Sequence, residues 1–233
     1  LPFPDVNIFV DHQGKVHVNL SKSDTPARTI VSEMMILANS EAAKYVADRM
    51  VPGLFRSQPV LQNRIVFGED DDLFQNTLQR KNIPRGELST TAKSHSGLGV
   101  SHYTTVTSPI RRLLDLVMQH QLNSIIRRKE PCFTEEMCKD FNSVLTRTLT
   151  ATQIVRQQRQ RFWLLKYLAD RQGQYIDALV IQTNPKRINL LLTDILMDID
   201  LPPPGGKAIS PNMVVKVLIV KSDPLDNILR LDW

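Results

Sequence analysis

The chain has 233 residues, of which 42% are hydrophobic and 23% charged, and this composition excludes a disordered or fibrous protein. It contains no apolar run long enough to cross a bilayer and no amino-terminal signal pattern, so we expect a soluble, cytoplasmic protein without a membrane partner. A net charge of +5 favours an anionic partner, and the two cysteines, Cys132 and Cys138, fit neither a zinc pattern nor a disulfide framework.

The positive charge is concentrated in one part of the chain. Residues 111–171 hold twelve basic and six acidic residues, so this segment alone accounts for the excess. A local cluster of this kind is more informative than the total charge, because it marks one surface for an anionic ligand.

The first half of the chain begins with a β pattern and then changes to a helical one. Residues 6–10 and 15–20 are rich in β-formers, and Gly14 lies in the turn between them, which predicts a hairpin. Thr25 as N-cap and Pro26 as first helical residue then open a long amphipathic helix with apolar residues at steps of three and four. The mixed stretch that follows, 52–98, contains a short predicted helix at 71–80.

The second half predicts two more helices and then a set of short strands. The helices cover about 109–128 and 134–171, the latter with a possible break at 148–152, where β-branched residues lower helix propensity. Five strand-like segments follow Gly173, and five short strands in so few residues are typical of an OB-type Greek-key barrel. The predicted strands are 174–182, 187–192, 196–199, 213–220 and 227–231.

One stretch carries a specific motif, "AKSHSGLGVSHYTTVTSPIRRLLDLVMQHQL" at residues 92–122. It resembles the RNB-type exoribonucleases, relatives of bacterial ribonuclease II and ribonuclease R, as does the upstream helix segment "IVSEMMILAN" at 30–39. The matching positions in the longer stretch are His95, Gly97, Leu98, Gly99, Tyr103, Thr104, Thr107, Ser108, Pro109, Ile110, Arg111, Arg112, Asp115 and Leu116.

The resemblance implies an α+β fold. Residues 1–172 are expected to be the helical carboxy-terminal half of an RNB-type catalytic domain, and residues 173–233 a five-stranded OB-like RNA-binding barrel. A packing or gating role is the alternative for the barrel. It also implies that the chain begins within the catalytic domain, whose amino-terminal half would be a partner of this chain.

Two adjacent arginines follow the Ser-Pro pair of the motif. With Pro109 in the first turn of a helix, free N–H groups and the guanidinium groups of Arg111 and Arg112 would form an anion site suited to phosphate. The resemblance implies that Arg111 is catalytic and stabilises charge in the transition state. The alternative is that both arginines are solvated or pair with Asp115.

The resemblance assigns further roles, each with a structural alternative. Glu33 is expected to be a second catalytic residue, although one Glu on an amphipathic helix is usually solvent-facing. Tyr103 either stacks on a base or fills the core, and His95 either contacts the RNA backbone or holds the glycine loop at residues 95–99. The predicted RNA contacts are Arg112, Tyr103, His95, Ser108, Thr107, Arg156 and Arg159; Trp163 lies near the last two but fits a core position equally well.

The metal ligands that the resemblance implies are not found in the chain. The family holds Mg²⁺ with a cluster of aspartates, and no such spacing occurs here, so we expect the ligands outside this chain and none within it. Four consecutive carboxylates at 69–72 are instead interpreted as the acidic start of the short helix.

The resemblance therefore implies part of a 3′-to-5′ exoribonuclease that hydrolyses single-stranded RNA to nucleoside 5′-monophosphates. The 233 residues alone are expected to bind RNA weakly and to be inactive. Two alternatives remain at this stage: a non-catalytic RNA-binding or regulatory protein with a degenerate nuclease fold, and a protein-docking surface formed by the basic helix and the barrel.

Overall fold

The computed structural model describes residues 3–22, 25–67, 72–206 and 208–233. The described helices are α1 (Pro26–Ala47), α2 (Leu73–Asn82), α3 (Leu113–Arg128) and α4 (Glu135–Ala169). The described strands are β1 (Asp5–Val10), β2 (Val16–Ser21), β3 (Phe55–Ser57), β4 (Glu87–Ser89), β5 (Tyr175–Thr183), β6 (Ile188–Leu192), β7 (Met197–Leu201), β8 (Val214–Asp223) and β9 (Ile228–Asp232). The mixed α+β class predicted from the sequence is confirmed.

The chain forms two compact units. The barrel unit consists of Leu1–Ser23, Ile65–Lys81 and Ile154–Trp233, and the helical unit of Asp24–Arg64 and Asn82–Gln153. These units follow spatial contacts, whereas the predicted boundary at residue 173 follows the family pattern, so that boundary stays a prediction.

The barrel unit contains the five predicted strands in one antiparallel sheet of order β7-β6-β5-β8-β9. The indole Nε1 of Trp233, just after β9, donates a hydrogen bond of 2.7 Å to the carbonyl of Pro202, just after β7. This bond links the two edges, so the sheet is a nearly closed barrel. Its interior also receives Leu164, Leu165 and Leu168 from the end of α4, which are 4% exposed or less.

The short helix α2 covers part of the outer face of the barrel. Leu73, Phe74 and Leu78 of the helix pack against a cluster formed by Leu179, Ile181 and Leu191 of β5 and β6. At the end of the helix, Lys81 Nζ lies 2.8 Å from Asp198 Oδ1 of β7. Part of the outer surface of β5 and β6 is therefore covered by α2.

The predicted hairpin and the start of α1 are confirmed. Strands β1 and β2 pair antiparallel, and Gly14 in their turn has φ +78. Thr25 is the N-cap of α1, and its hydroxyl oxygen accepts a hydrogen bond from the Arg28 N–H, with Pro26 as the first helical residue.

The first half of α1 does not bury its apolar side chains as an amphipathic helix should. Asn39, Ala43 and Val46 in the second half are buried. Four apolar side chains that precede Asn39 are 56–65% exposed: Ile30, Val31, Met34 and Leu37. We call these four side chains the apolar face of α1.

One boundary in the second half was predicted wrongly, and the possible break in α4 is not found. Helix α3 begins at Leu113 rather than Pro109, because Arg112 is extended, with φ −131 and ψ 114. Helix α4 is continuous from Glu135 to Ala169. Thr148 and Thr152 lie within it, and each hydroxyl donates to the carbonyl four residues earlier at 2.8 Å. Strands β3 and β4 were not predicted. Within the described ranges, no helix combines the length and apolar character that a membrane crossing needs.

Candidate functional site

The motif residues converge in the helical unit, where a buried aspartate organises the loop before α3. Asp115 is 0% exposed. Its Oδ1 accepts a hydrogen bond from the Thr105 hydroxyl at 2.7 Å, and its Oδ2 accepts one from the Ser108 N–H at 2.7 Å. Oδ2 also lies 2.9 Å from an Nη atom of Arg112. The Asp115 carboxylate therefore binds one group each of Thr105, Ser108 and Arg112 and fixes the conformation of this segment.

The two arginines have different surroundings. Arg112 pairs with Asp115 and also donates to the Thr107 hydroxyl at 3.2 Å, so the ion pair considered as an alternative is formed by this arginine. Arg111 is exposed, and its guanidinium makes one long hydrogen bond of 3.4 Å to the Ser108 hydroxyl. Arg112 is fixed by its partners, whereas Arg111 has its charge available to solvent.

Both arginines precede the helix instead of lying in its first turn. The N–H groups of Arg111 and Arg112 donate to the Ser108 carbonyl at 3.3 and 3.1 Å, which closes a turn over residues 108–112. Ile110 at the tip of this turn is fully exposed. The prediction of a helix beginning at Pro109 fails because Asp115 binds the Ser108 N–H and the Arg112 side chain, which favours a turn there.

The loop before this turn is held by two amide side chains. Gln58 Oε1 accepts a hydrogen bond from the Gly97 N–H at 3.1 Å, and its Nε2 donates to the Pro84 carbonyl at 2.8 Å. Asn39, which is buried in α1, donates to the Tyr103 hydroxyl at 3.1 Å and accepts from the Val106 N–H at 2.9 Å. These contacts connect the glycine loop and Tyr103 to the rest of the helical unit.

His95 and Tyr103 form a pair, with ring centroids 5.4 Å apart in an edge-to-face arrangement. Burial, and secondarily the charge of Arg56, lower the pKa of His95 below its ordinary value. The imidazole is therefore neutral at neutral pH, and its buried Nδ1 has no hydrogen-bond partner among the described residues. Both side chains have structural contacts, as the alternative interpretation expected.

The remaining predicted residues are exposed and belong to two other helices, α1 and α4. Glu33 is exposed on α1, and its carboxylate makes no hydrogen bond or ion pair within the described part of the chain. Arg156 and Arg159 are exposed on the part of α4 that belongs to the barrel unit. The predicted site residues are thus divided between the two units.

Sequence reasoning overlooked Asn39 and underestimated Asp115. Asn39 is a single amide among apolar residues of α1, and a polar residue at such a position signals a buried hydrogen bond. Asp115 follows the twin arginines by three residues, which is helical pairing distance, but its contacts with Thr105 and Ser108 depend on tertiary structure.

A metal site does not fit the residues seen here. In the described ranges, no three His, Cys, Asp or Glu side chains lie close enough together to hold a metal ion. Gly68–Asp71 of the acidic run lie outside the described residues. Asp72 accepts hydrogen bonds from the N–H groups of Phe74 and Gln75 at 2.8 and 3.3 Å, as the acidic start of a helix should.

Comparison with known proteins gives consistent results. A family model for the RNB domain matches residues 1–128. An uncharacterized ribonuclease of Synechocystis sp. is 26% identical over 234 residues, covering 96% of this chain and 34% of that protein. The mitochondrial exoribonuclease II of Saccharomyces cerevisiae is 27% identical over 178 residues, covering 70% of this chain and 18% of that protein. The chain thus spans about a third of the first relative and less of the second.

Solved structures support the fold. The structure of an active-site mutant of the Dss1 exoribonuclease from Candida glabrata matches with a TM-score of 0.86 at 22% identity, covering 99% of this chain and 31% of that chain. Mycoplasma genitalium RNase R in complex with ribose-methylated single-stranded RNA matches with a TM-score of 0.77 at 15% identity, covering 99% and 45%. Because the family model spans more than half of its residues, the chain belongs to the RNB family of exoribonucleases, which the motif around Arg111 resembles.

Proposed function

We propose that the protein to which these residues belong degrades single-stranded RNA from the 3′ end and releases nucleoside 5′-monophosphates. The observation that carries this proposal is the arrangement of the turn at 108–112, in which a buried carboxylate fixes Arg112 and leaves the Arg111 guanidinium exposed. An exposed guanidinium on a fixed turn is suited to a phosphate, because its N–H groups match phosphate oxygens in pairs. Family membership supports ribonuclease chemistry at this position.

In this proposal, Arg111 contacts the phosphate that is attacked and offsets the negative charge that develops there. Ser108 and Thr107 lie beside the two guanidinium groups and contribute hydroxyls to the RNA backbone. Arg112 binds RNA with the donors that Asp115 does not use. The His95–Tyr103 pair offers an aromatic edge for a base.

Glu33 remains our second catalytic candidate. It lies on the same helix as the apolar face of α1. We propose that the amino-terminal half of the catalytic domain packs on the apolar face of α1 and completes the catalytic site around Glu33. Four adjacent apolar side chains left mostly exposed support such a partner, since soluble proteins rarely leave a contiguous apolar surface uncovered.

We also propose that the reaction depends on Mg²⁺ bound by residues outside this chain. The described residues provide no group of three ligands, so no step of the mechanism is assigned to a metal here. It follows that residues 1–233 alone should bind RNA weakly and not degrade it. We further propose the division into a catalytic part, 1–172, and an RNA-binding barrel, 173–233.

The test uses the full-length parent protein and a 5′-labelled single-stranded RNA. Arg111→Ala is expected to lower the turnover rate about 100- to 1,000-fold, the usual loss when one charge-stabilising donor is removed. RNA affinity should change far less. Arg127→Ala, which removes an exposed charge at the end of α3, is the matched control and should keep the parental rate.

A parental turnover rate for Arg111→Ala would remove this residue from the chemistry. The second candidate function is a non-catalytic RNA-binding or regulatory protein. A full-length parent that binds RNA but does not degrade it with Mg²⁺ present would support that candidate instead.

A further inference from the structure

A groove of about 410 Å³ lies in the barrel unit between strand β1 and helix α4. Ile8, Phe9 and Val10 line one side of it, and Arg156, Arg159 and Trp163 line the other. The three residues of α4 share one face, because they are spaced by three and four positions. The groove has the size of an ordinary small-ligand site, which is about 300 to 1,000 Å³.

On the strand side, Phe9 carries an aromatic ring with a fixed orientation. Phe9 is 48% exposed. Its ring stacks on His17, the residue paired with it across the hairpin, with centroids 4.8 Å apart and planes 8° from parallel. Asp11 Oδ2 lies 2.7 Å from His17 Nε2 and holds the imidazole in place. This hydrogen bond is the main cause of the lowered pKa of Asp11.

The helix side of the groove presents two guanidinium groups without counter-charges. Arg156 and Arg159 are exposed, and neither makes an ion pair or hydrogen bond with any residue in the described ranges. Residues 141–169 contain five basic residues and no Asp or Glu, so this face of α4 has no carboxylate of its own. Trp163, which is half-buried, lines the groove beside them.

We propose that this groove binds one nucleotide of a single-stranded RNA, with the base against Phe9 and Trp163 and the adjoining phosphates on Arg156 and Arg159. Aromatic side chains combined with unpaired arginines are how proteins bind unpaired strands without reading their sequence. An acidic peptide would account for the arginines but not for the exposed aromatic ring. The inference rests on the proposed function for the nature of its ligand.

The test uses residues 1–233 with a fluorescent oligouridylate that contains 4-thiouridine. In the unsubstituted chain, ultraviolet cross-links are expected at Phe9, His17 or Trp163 when the conjugates are mapped by mass spectrometry. Phe9→Ala should lower the affinity about tenfold, the loss typical of one base stack. The double variant Arg156→Ala/Arg159→Ala should lower it further and reduce the slope of log affinity against log salt by about two.

The matched control is Arg127→Ala/Arg128→Ala, which removes two exposed charges at the end of α3 in the helical unit. This control should change the affinity less than the groove variant and leave the cross-linked residues unchanged. The cross-link map of the unsubstituted chain does not depend on whether any variant folds.

The outcomes separate this inference from the proposed function. If the parent protein degrades RNA but no cross-link maps to the groove, the groove does not bind RNA, whereas the proposed function holds. If cross-links map to the groove but the parent lacks ribonuclease activity, the groove holds and the proposed function fails. The inference would be overturned if the control double variant lost as much affinity as the groove double variant. It would also be overturned if poly-glutamate competed as well as unlabelled RNA, because either result would indicate a general anion-binding surface.

Discussion

Asp115 and Arg112 form an ion pair of 2.9 Å in which the Asp115 side chain is completely buried and the Arg112 side chain is 32% exposed. The carboxylate interacts with three donors, which are the Thr105 hydroxyl, the Ser108 N–H and the Arg112 guanidinium. These interactions offset the free-energy cost of removing the carboxylate from water. The phosphate-binding role proposed for Arg111 depends on this pair, although Asp115 itself does not contact the proposed ligand.

Replacing Asp115 by Asn should destabilise the helical unit. The substitution leaves Arg112 without its partner, and breaking a buried pair from one side costs about 3 kcal/mol at the lower end of the usual range. Urea unfolding of residues 1–233 measures this loss. Asp140→Asn, an exposed carboxyl of α4, serves as the control and should remain within about 0.5 kcal/mol of the unsubstituted chain. Equal stability of both variants would show that Asp115 does not hold the turn.

The stability of the protein should depend on pH through His95. Its pKa in the folded protein is lowered, so the unfolded chain takes up the proton first, near the ordinary value of about 6.5. The contribution of His95 to stability is therefore constant above that pH and decreases as the pH falls below it. Urea unfolding at about pH 7.5 and pH 5.5 detects the difference.

The control for this pH dependence is His95→Gln, in which the part of the decrease due to this residue should disappear. His12→Gln changes an exposed histidine of the hairpin turn and should leave the decrease in place. A pH profile that is the same in all three proteins would contradict the assignment to His95.

A buried amide joins the loop after α3 to the helical unit. Gln121 is 0% exposed, donates to the carbonyls of Pro52 and Phe133 at 2.7 and 3.0 Å, and accepts from the Phe133 N–H at 2.9 Å. Gln121→Leu leaves these backbone groups unpaired and should cost about 3 kcal/mol of unfolding free energy. Asn123→Leu, exposed on the same helix, should have little effect in the same denaturant titration.

Two methionines test whether the apolar face of α1 is exposed in residues 1–233. Met34 is 63% exposed, whereas Met118 is 0% exposed and its sulfur accepts the Leu54 N–H at 3.1 Å. Met34→Gln should therefore change the unfolding free energy by less than about 0.5 kcal/mol. Met118→Gln should lower it by about 3 kcal/mol, as other core substitutions do. A large loss in Met34→Gln would mean that this face is already covered.

The features predicted well from sequence were those that depend on local patterns. The hairpin follows from alternation around Gly14, the start of α1 from Thr25 and Pro26, and the barrel strands from β-rich segments between turns. Strands β3 and β4, three residues each, carry no such pattern because their pairing is between distant segments. The start of α3 was misplaced because Asp115, inside the helix, determines the conformation of residues before it.

The candidate site shows the same limit. The motif identified Arg111 and Arg112 as neighbours, but only tertiary contacts reveal that Arg112 is paired and Arg111 is not. Similarly, the exposure of Ile30 and Met34 cannot be inferred from helical periodicity, which records that a face is apolar but not what covers it.

The contacts of the barrel have a practical consequence for dividing the protein. A chain beginning at residue 173 would lose Leu164, Leu165 and Leu168 from the barrel interior, and α2 from its outer surface. Leu179, Ile181 and Leu191 would then face water, and such surfaces drive aggregation. Poor solubility of that truncated chain would result from the loss of α2 and the end of α4, and not from misfolding of the sheet. Restoring residues 65–81 and 154–172 should therefore restore solubility.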